Sequence, residues 1–408
     1  MRILKITTAY PAYLKRFYNS YSDLLSTCHH EQKSRLDYDA FGWSDFWSHA
    51  LTPFGYEMME VLANAKPLQM SWALERGLEF SLGNWLLDIT FEQVKSFQPE
   101  ILFMEDYSTF SYAWLKEIRQ VCPSIKLVMG WCGAPYEDAT VFQAYDVVLS
   151  CVPELVAQFQ RMGHLSEHIN HAFDSRLLER IDRYSQPTIN FSFIGQIVSN
   201  YKYHSERELI LEKLVNELAI EIYSPSTFHQ WNSELKVLLQ NKIYRFMQGL
   251  QRIGISQSWL RKLPKIGKFA SQGSMPTQIV SPRLRPFIKP AVFGLEMFQT
   301  LQNSKITFNN HINISPRSAS NMRLFEATGV GTCLVTDWKE NLAELFDPDN
   351  EVVTYQSADE CVEKVEWLLE HPQERVAIAQ AGQARTLKDH TFEKRALQLD
   401  QIIRKWLL

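Results

Sequence analysis

Short apolar, β-rich runs alternate with helix-period stretches along most of this chain. "RILKIT" (2–7), "EILFME" (100–105), "IKLVMG" (125–130) and "DVVLS" (146–150) read as buried strands. "FSYAWLKEIRQV" (110–121) and "PELVAQFQRMG" (153–163) carry amphipathic helical spacing, the second closing on Gly163. After a polar stretch at 175–188 a second series begins with strand "INFSFIG" (189–195), helix "ERELILEKLVNEL" (206–218) and strand "AIEIYS" (219–224). "SKITFN" (304–309), a short strand ending "LVTD" and "EVVTY" (351–355) continue it, and helical patterns then run to Leu408. Alternation of this kind predicts parallel α/β units, here two doubly wound domains facing a central cleft. The expected division is 1–174 for the first domain and 175–385 for the second, with 386–408 as a helix packing back on the first. In such sheets ligands sit outside the carboxyl ends of the strands.

One segment breaks the pattern. From 235 to 295 the chain holds eleven Lys and Arg and no Asp or Glu, although the whole molecule carries −4. Its prolines and glycines suggest a loop-and-helix insertion in the second domain. Tyr244, Phe246, Trp259, Phe269 and Phe287 lie among the cations, a mixture suited to anionic lipid or a phosphorylated substrate. A solvated insertion balancing an acidic body is the plain alternative. The absence of a recognised motif argues against nucleic acid as a partner.

Composition narrows the setting further. At 408 residues and 45% hydrophobic the chain can bury a large core. "MRILKITTAYPAYLK" is too short in apolar residues for a signal-peptide core, and no run reaches the roughly 18 needed for a membrane span. The expected location is cytoplasmic, with peripheral contact at the inner face of the plasma membrane should the basic segment meet lipid. Six scattered cysteines without a CxxC pair predict reduced thiols, with no disulfide framework and no metal site.

The stretch "RLFEATGVGTCLVTD" (323–337) places Glu326 inside an apolar helical run. Upstream, Ser315 or Ser318 is placed to cap a helix running to about Thr328 and closed by Gly329. Its amino end would offer free N–H groups to an anion, with Arg317 beside it. A buried carboxylate needs a partner, and ribose hydroxyls would serve, as would Arg323 three positions earlier. Asn310 and His311, after a strand, could reach phosphate or sugar, and Lys202 could neutralise a phosphate. Glu105 and Asp106 end the strand "EILFMED", where a carboxylate could take a proton from a hydroxyl. Helix capping is the alternative there. His171 in "NHAFD" is a further catalytic candidate, against an ordinary interior histidine. The aromatic run "FGWSDFWSHALTPFGY" (41–56) fits either a sugar-stacking wall or packing.

The residues from about Val292 to Ile403, with "SKITFNNH", "NMRLFEATGVGTCLVTD", "NLAELFDPDNEVVTY" and "AGQARTLKDHTFEKRA", resemble the C-terminal domain of CgeB-like (spore maturation protein) group-1 glycosyltransferases. "LQMSWALERG" (68–77), "AYDVVLSCVPELVAQFQRMG" (144–163) and "NHAFD" (170–174) are similar to pieces of their N-terminal half. The resemblance implies the GT-B fold, two Rossmann-like domains, and metal-independent transfer of a sugar from a nucleotide-diphosphate donor to a glycan, lipid-linked or other hydroxyl acceptor. No cofactor is implied beyond the nucleotide-sugar co-substrate. It makes Glu326 the ribose clamp and brings Gly195, Lys202, Asn310, His311, Arg317, Ser318, Asn321 and Gly329 into the donor site. Where the family carries a first acidic residue this chain has Ser318, and its Gly-Arg and Lys pair is replaced by Gln196 and Lys202. A nucleotide-sugar epimerase or hydrolase of the same fold, or a non-catalytic binding protein, shares the same outline.

Overall fold

The computed structural model describes residues 1–136, 138–197, 205–225, 231–253, 255–260, 263, 266–270 and 280–407. Twelve strands are found among them, in two sheets of six. The first holds β1 (Arg2–Thr7), β2 (Glu57–Leu62), β3 (Ile101–Met104), β4 (Leu127–Trp131), β5 (Val147–Ser150) and β6 (Ser166–His168) in the order β2-β1-β3-β4-β5-β6. The second holds β7 (Ile189–Ile194), β8 (Ile220–Tyr223), β9 (Ile288–Lys289), β10 (Ser304–Asn309), β11 (Cys333–Asp337) and β12 (Val353–Tyr355) in the order β12-β11-β10-β7-β8-β9. Every pairing is parallel. The central strands are covered on both faces, which is why "ILFM" and "VVLS" are unbroken apolar runs, buried throughout.

Chain order reverses between β1 and β3 in the first sheet and between β7 and β10 in the second. At such a switch point the two neighbouring connections leave in opposite directions, and a crevice opens at the carboxyl ends of the strands. Thr7 and Glu105 stand at the first crevice, Gly195 and Asn309 at the second, and all four line one cavity.

The two sheets also share a hydrophobic core. It runs from Ile3, Phe103 and Leu149 to Leu324, Phe325 and Phe346. Phe173 bridges the halves: its N–H donates to the His390 carbonyl and its own carbonyl accepts from Phe392 N–H. The last helix, Phe392–Leu407, lies on the helix Phe46–Leu51, with the Phe392 ring 5.1 Å from those of both Phe46 and Trp47. Tyr56 Oη donates to Asp400 Oδ1 at 2.8 Å. The outer face of the second sheet has a separate core built on Phe191, Ile220, Phe308 and Val335.

Three expectations change. The basic segment 235–295 is not wholly an insertion, because β9 within it pairs with β8 and the helix Gly294–Gln302 opens before it ends. The helix around Glu326 is short, spanning Arg323–Gly329 with Met322 before it and no side-chain cap. Residues 315–322 form a loop whose backbone is satisfied by side chains: Ala319 N–H donates to Asn341 Oδ1 at 2.6 Å, and the Ser318 carbonyl accepts from Ser315 Oγ. An N-terminal anion site on a helix from Ser318 is therefore absent. The aromatic run 41–56 divides, Phe46 and Trp47 going to the core while Phe41 and Trp43 also line the cavity.

Candidate active site between the two sheets

The cavity has a volume of about 610 Å³ and is walled by both sheets. This is the size range of small-molecule and cofactor sites. A second, smaller depression of about 360 Å³ adjoins it, sharing Thr7, Thr8, Glu105 and Pro135.

The wall from the second sheet carries charge. Glu326 is buried, with Oε2 2.9 Å from Arg323 Nη1. Burial raises its pKa and Arg323 counteracts only part of that. Arg323 Nη1 and Nη2 donate towards Met297 Sδ, and its Nε has no partner among the described residues. Arg207, on the helix Ser205–Glu217 after β7, ties the two strand ends together: Nη1 donates to the Gln196 carbonyl at 3.0 Å and Nη2 to the Asn310 carbonyl. Its Nε also lacks a partner among the described residues, and burial lowers its pKa to about 10, which leaves it a cation at neutral pH. Two guanidinium groups thus line one wall with unused donor capacity.

His311 lines the same cavity and is held by the end of β11. Its Nδ1 lies 2.7 Å from Asp337 Oδ1, and its backbone N–H donates to the same oxygen at 3.0 Å. Lys339 Nζ is 3.1 Å from Asp337 Oδ2. Burial works to raise the Asp337 pKa, but His311 and Lys339 outweigh it and hold the carboxyl well below its usual range. That bond fixes the imidazole and leaves Nε2, in a side chain that lines the cavity, buried and without a partner among the described residues.

The opposite wall comes from the first sheet. Lys5 on β1 is fully buried, 2.9 Å from Glu60 Oε2 and 3.3 Å from Glu105 Oε2. Parallel register sets Lys5 opposite Glu60 on β2. Burial would lower the lysine pKa, yet the two carboxylates raise it above normal. Glu60 also accepts from Ser48 N–H at 2.8 Å. Glu105 keeps part of its side chain open to both cavities, and burial raises its pKa against the pull of Lys5 and Thr7. His171 packs between the rings of Trp43 and Trp131, 5.8 and 5.3 Å between centroids. Burial, aided by Arg395, lowers its pKa to about 3, so it is a neutral imidazole.

Of the residues singled out in the sequence, the structure brings Glu105, His171, Gly195, His311, Asn321 and Glu326 to the main cavity. Asp106 lies only at the smaller one, where its carboxylate accepts from Thr8, Ser108 and Thr109 side chains and from two backbone N–H groups. Those bonds outweigh burial and lower its pKa, so it builds the turn and is a poor proton acceptor. Arg317 is exposed, its backbone N–H on Glu154, and Ser318 is buried beneath the loop; neither lines the cavity. Asn310 is buried beside the Tyr355 hydroxyl. Gly329 faces the Phe173 ring, where a Cβ would come within 2.4 Å, so it serves packing. Lys202 lies outside the described residues.

Sequence reasoning missed Arg207, Asp337, Glu60 and Lys5. Asp337 ends an apolar strand, as Glu105 does, and that position was its one available signal. Arg207 looked like any cation of an amphipathic helix. No group of three or more His, Cys, Asp or Glu able to hold a metal occurs among the described residues.

Residues 254–401 match the model of the glycosyl transferase-like family. No curated protein matches the chain. Among solved structures, a glycosyltransferase from Rickettsia africae is similar over 100% of this chain and 98% of its own, at 8% identity and a TM-score of 0.54. A sucrose-phosphate synthase from Thermosynechococcus elongatus covers 99% and 98%, at 11% identity and TM-score 0.52. HepE from Anabaena, solved in complex with UDP-glucose, covers 99% and 100%, at 10% identity and TM-score 0.52. With two parallel six-stranded sheets enclosing a cleft, and matches of this length to such enzymes, the chain has the GT-B fold.

Proposed function

We propose that this chain is a glycosyltransferase of the CgeB-like kind, moving a sugar from a nucleoside-diphosphate donor to the hydroxyl of a glycan or lipid-linked acceptor. The observation that carries the reading is that both switch points open into one cavity, whose second-sheet wall presents Arg207, Arg323 and Glu326 together. The solved complex of HepE with UDP-glucose supports a nucleotide sugar as the donor class.

In this reading the donor diphosphate lies against the two guanidinium groups, whose unused N–H donors meet the charge that develops as the bond to the sugar breaks. Glu326 accepts from the ribose hydroxyls, which adds hydrogen bonds to a buried carboxylate already paired with Arg323. His311 Nε2 contacts phosphate or sugar, held in place by Asp337. Glu105 takes the acceptor proton, since its raised pKa makes it a better base than an ordinary carboxylate. Nothing in this scheme calls for a metal or a covalent intermediate.

The test is a melting-temperature panel with UDP, GDP and dTDP. A nucleotide at about a hundred times its Kd stabilises the fold by roughly 2.7 kcal/mol, so at least one is expected to raise Tm. Glu326→Ala should weaken that nucleotide about tenfold to a hundredfold, the cost of losing hydrogen bonds to a charged group. Glu105→Gln should keep the shift and lose turnover. A folded protein that ignores every nucleotide refutes the reading; donor consumed at full rate without acceptor would favour the epimerase or hydrolase.

A further inference from the structure

We infer that the solvent face of the helix Trp231–Arg252 is a docking surface for a bilayer carrying anionic headgroups. All but the first four residues of the helix, Glu234 among those four, belong to the basic segment, and its buried side is already used. Met247 is fully buried against Leu260, Phe269 and Ala270, with Ile243, Tyr244 and Leu250 packed around them. The other side is unlike an ordinary solvated face. Leu238, Leu239, Lys242, Arg245, Phe246 and Gly249 recur at three- and four-residue spacing, and all are exposed. Leu239 and Phe246 are each 59% open to solvent, and Ile253 and Trp259 just beyond are 75% and 56% open. Large apolar side chains and cations are thus interleaved on one surface.

Charge decides between occupants. A protein partner of ordinary composition would meet a patch with both signs present, whereas residues 235–295 contain eleven cations and no carboxylate. Among the described residues no acidic group pairs with Lys242 or Arg245, while Arg283 and Lys289, nearer the sheet, pair with Glu212 and Glu221. An anionic lipid surface answers both halves of the pattern: headgroups draw the cations, and Leu, Phe and Trp side chains enter the acyl boundary. No described helix is long and apolar enough to cross a membrane, so the contact would be peripheral. Pro225 before the segment and Ala291 to Gly294 at its end line the central cavity. A lipid-carried acceptor follows only if the transferase reading also holds.

The test is co-sedimentation of the full chain with vesicles of phosphatidylcholine, with and without about 30 mol % phosphatidylglycerol. Binding is expected only to the anionic vesicles, and raising salt should weaken it. Lys242→Gln with Arg245→Gln should weaken it about thirtyfold, from two cations near the surface. Leu238→Ser with Phe246→Ser should weaken it at unchanged charge. All four side chains are exposed, so an unaltered Tm and nucleotide response in the same variants separates lost docking from lost fold. Failure to bind anionic vesicles at low salt overturns the inference, as does equal binding to both vesicle types, binding that ignores both variants, or binding to an RNA oligonucleotide in place of vesicles. Nucleotide melting reads the transferase proposal alone, so either can fail without the other.

Discussion

Glu326 is buried beside a single arginine, and that arrangement has a sign. Its carboxyl pKa in the folded protein lies above the ordinary value, so between the two the native state binds more protons than the unfolded chain. Stability contributed by this residue is present below the ordinary carboxylate range and is lost as pH rises through the folded pKa. Glu326→Gln imitates the protonated form. It is expected to melt at a higher temperature than the parent at neutral pH, with the advantage vanishing in acid, and to lose nucleotide response. Asp337 runs the other way: its pKa is depressed, so its contribution is complete above the ordinary range and lost as pH falls towards the folded value. Asp337→Asn should melt lower at neutral pH and converge with the parent only in strong acid. Thermal melts across pH check both; a Glu326→Gln protein less stable at every pH would show that the Arg323 pair outweighs burial. Glu326 and His311 were legible in the sequence because strand ends and a carboxylate in an apolar run are local signals. Arg207 and Lys5 were not, because each acquires its role from a partner far along the chain.

At the scale of elements, nine of the twelve strands were readable, the edge strand β12 among them, and β2, β6 and β9 were not. "EMMEVL" became β2 although two glutamates interrupt it, because Glu57 is exposed at an edge and Glu60 is neutralised across the sheet by Lys5. β6 and β9 are three and two residues long, too short for any periodicity. The helix expected from Ser318 shrank to seven residues since "SPRSASN" satisfies its backbone through side chains. What that short helix gives instead is a flat contact. Gly329 lies so close to Phe173 that Gly329→Ala must push a buried ring aside. Overpacking of this kind costs about 1–3 kcal/mol, so urea unfolding of the variant should show a lower midpoint at the same slope. An unchanged midpoint would mean that Phe173 can rotate away freely.

For the whole molecule, the shared core matters more than the division into two sheets. Phe392 anchors the closing helix in that core, between Phe46 and Trp47. Truncating such a ring costs about 3–5 kcal/mol, and Phe392→Ala should destabilise both halves together. Tryptophan fluorescence and circular dichroism are expected to report one coincident urea transition in the parent and in the variant. Two separated transitions would show that the sheets are independent units. Two doubly wound sheets facing a cleft were visible in the alternation of strands and helices, and the resemblance pointed to the GT-B fold; which side chains meet across that cleft was not visible, since only the packed arrangement brings them together.

The Tyr56 to Asp400 bond spans 344 positions of chain. On the ribosome, the first sheet therefore emerges long before the helix that covers it, and Phe46 and Trp47 are made long before their partner Phe392. Nascent domains ordinarily fold one after another from the N-terminus; here the core of the early half is completed only when the helix Phe392–Leu407 arrives.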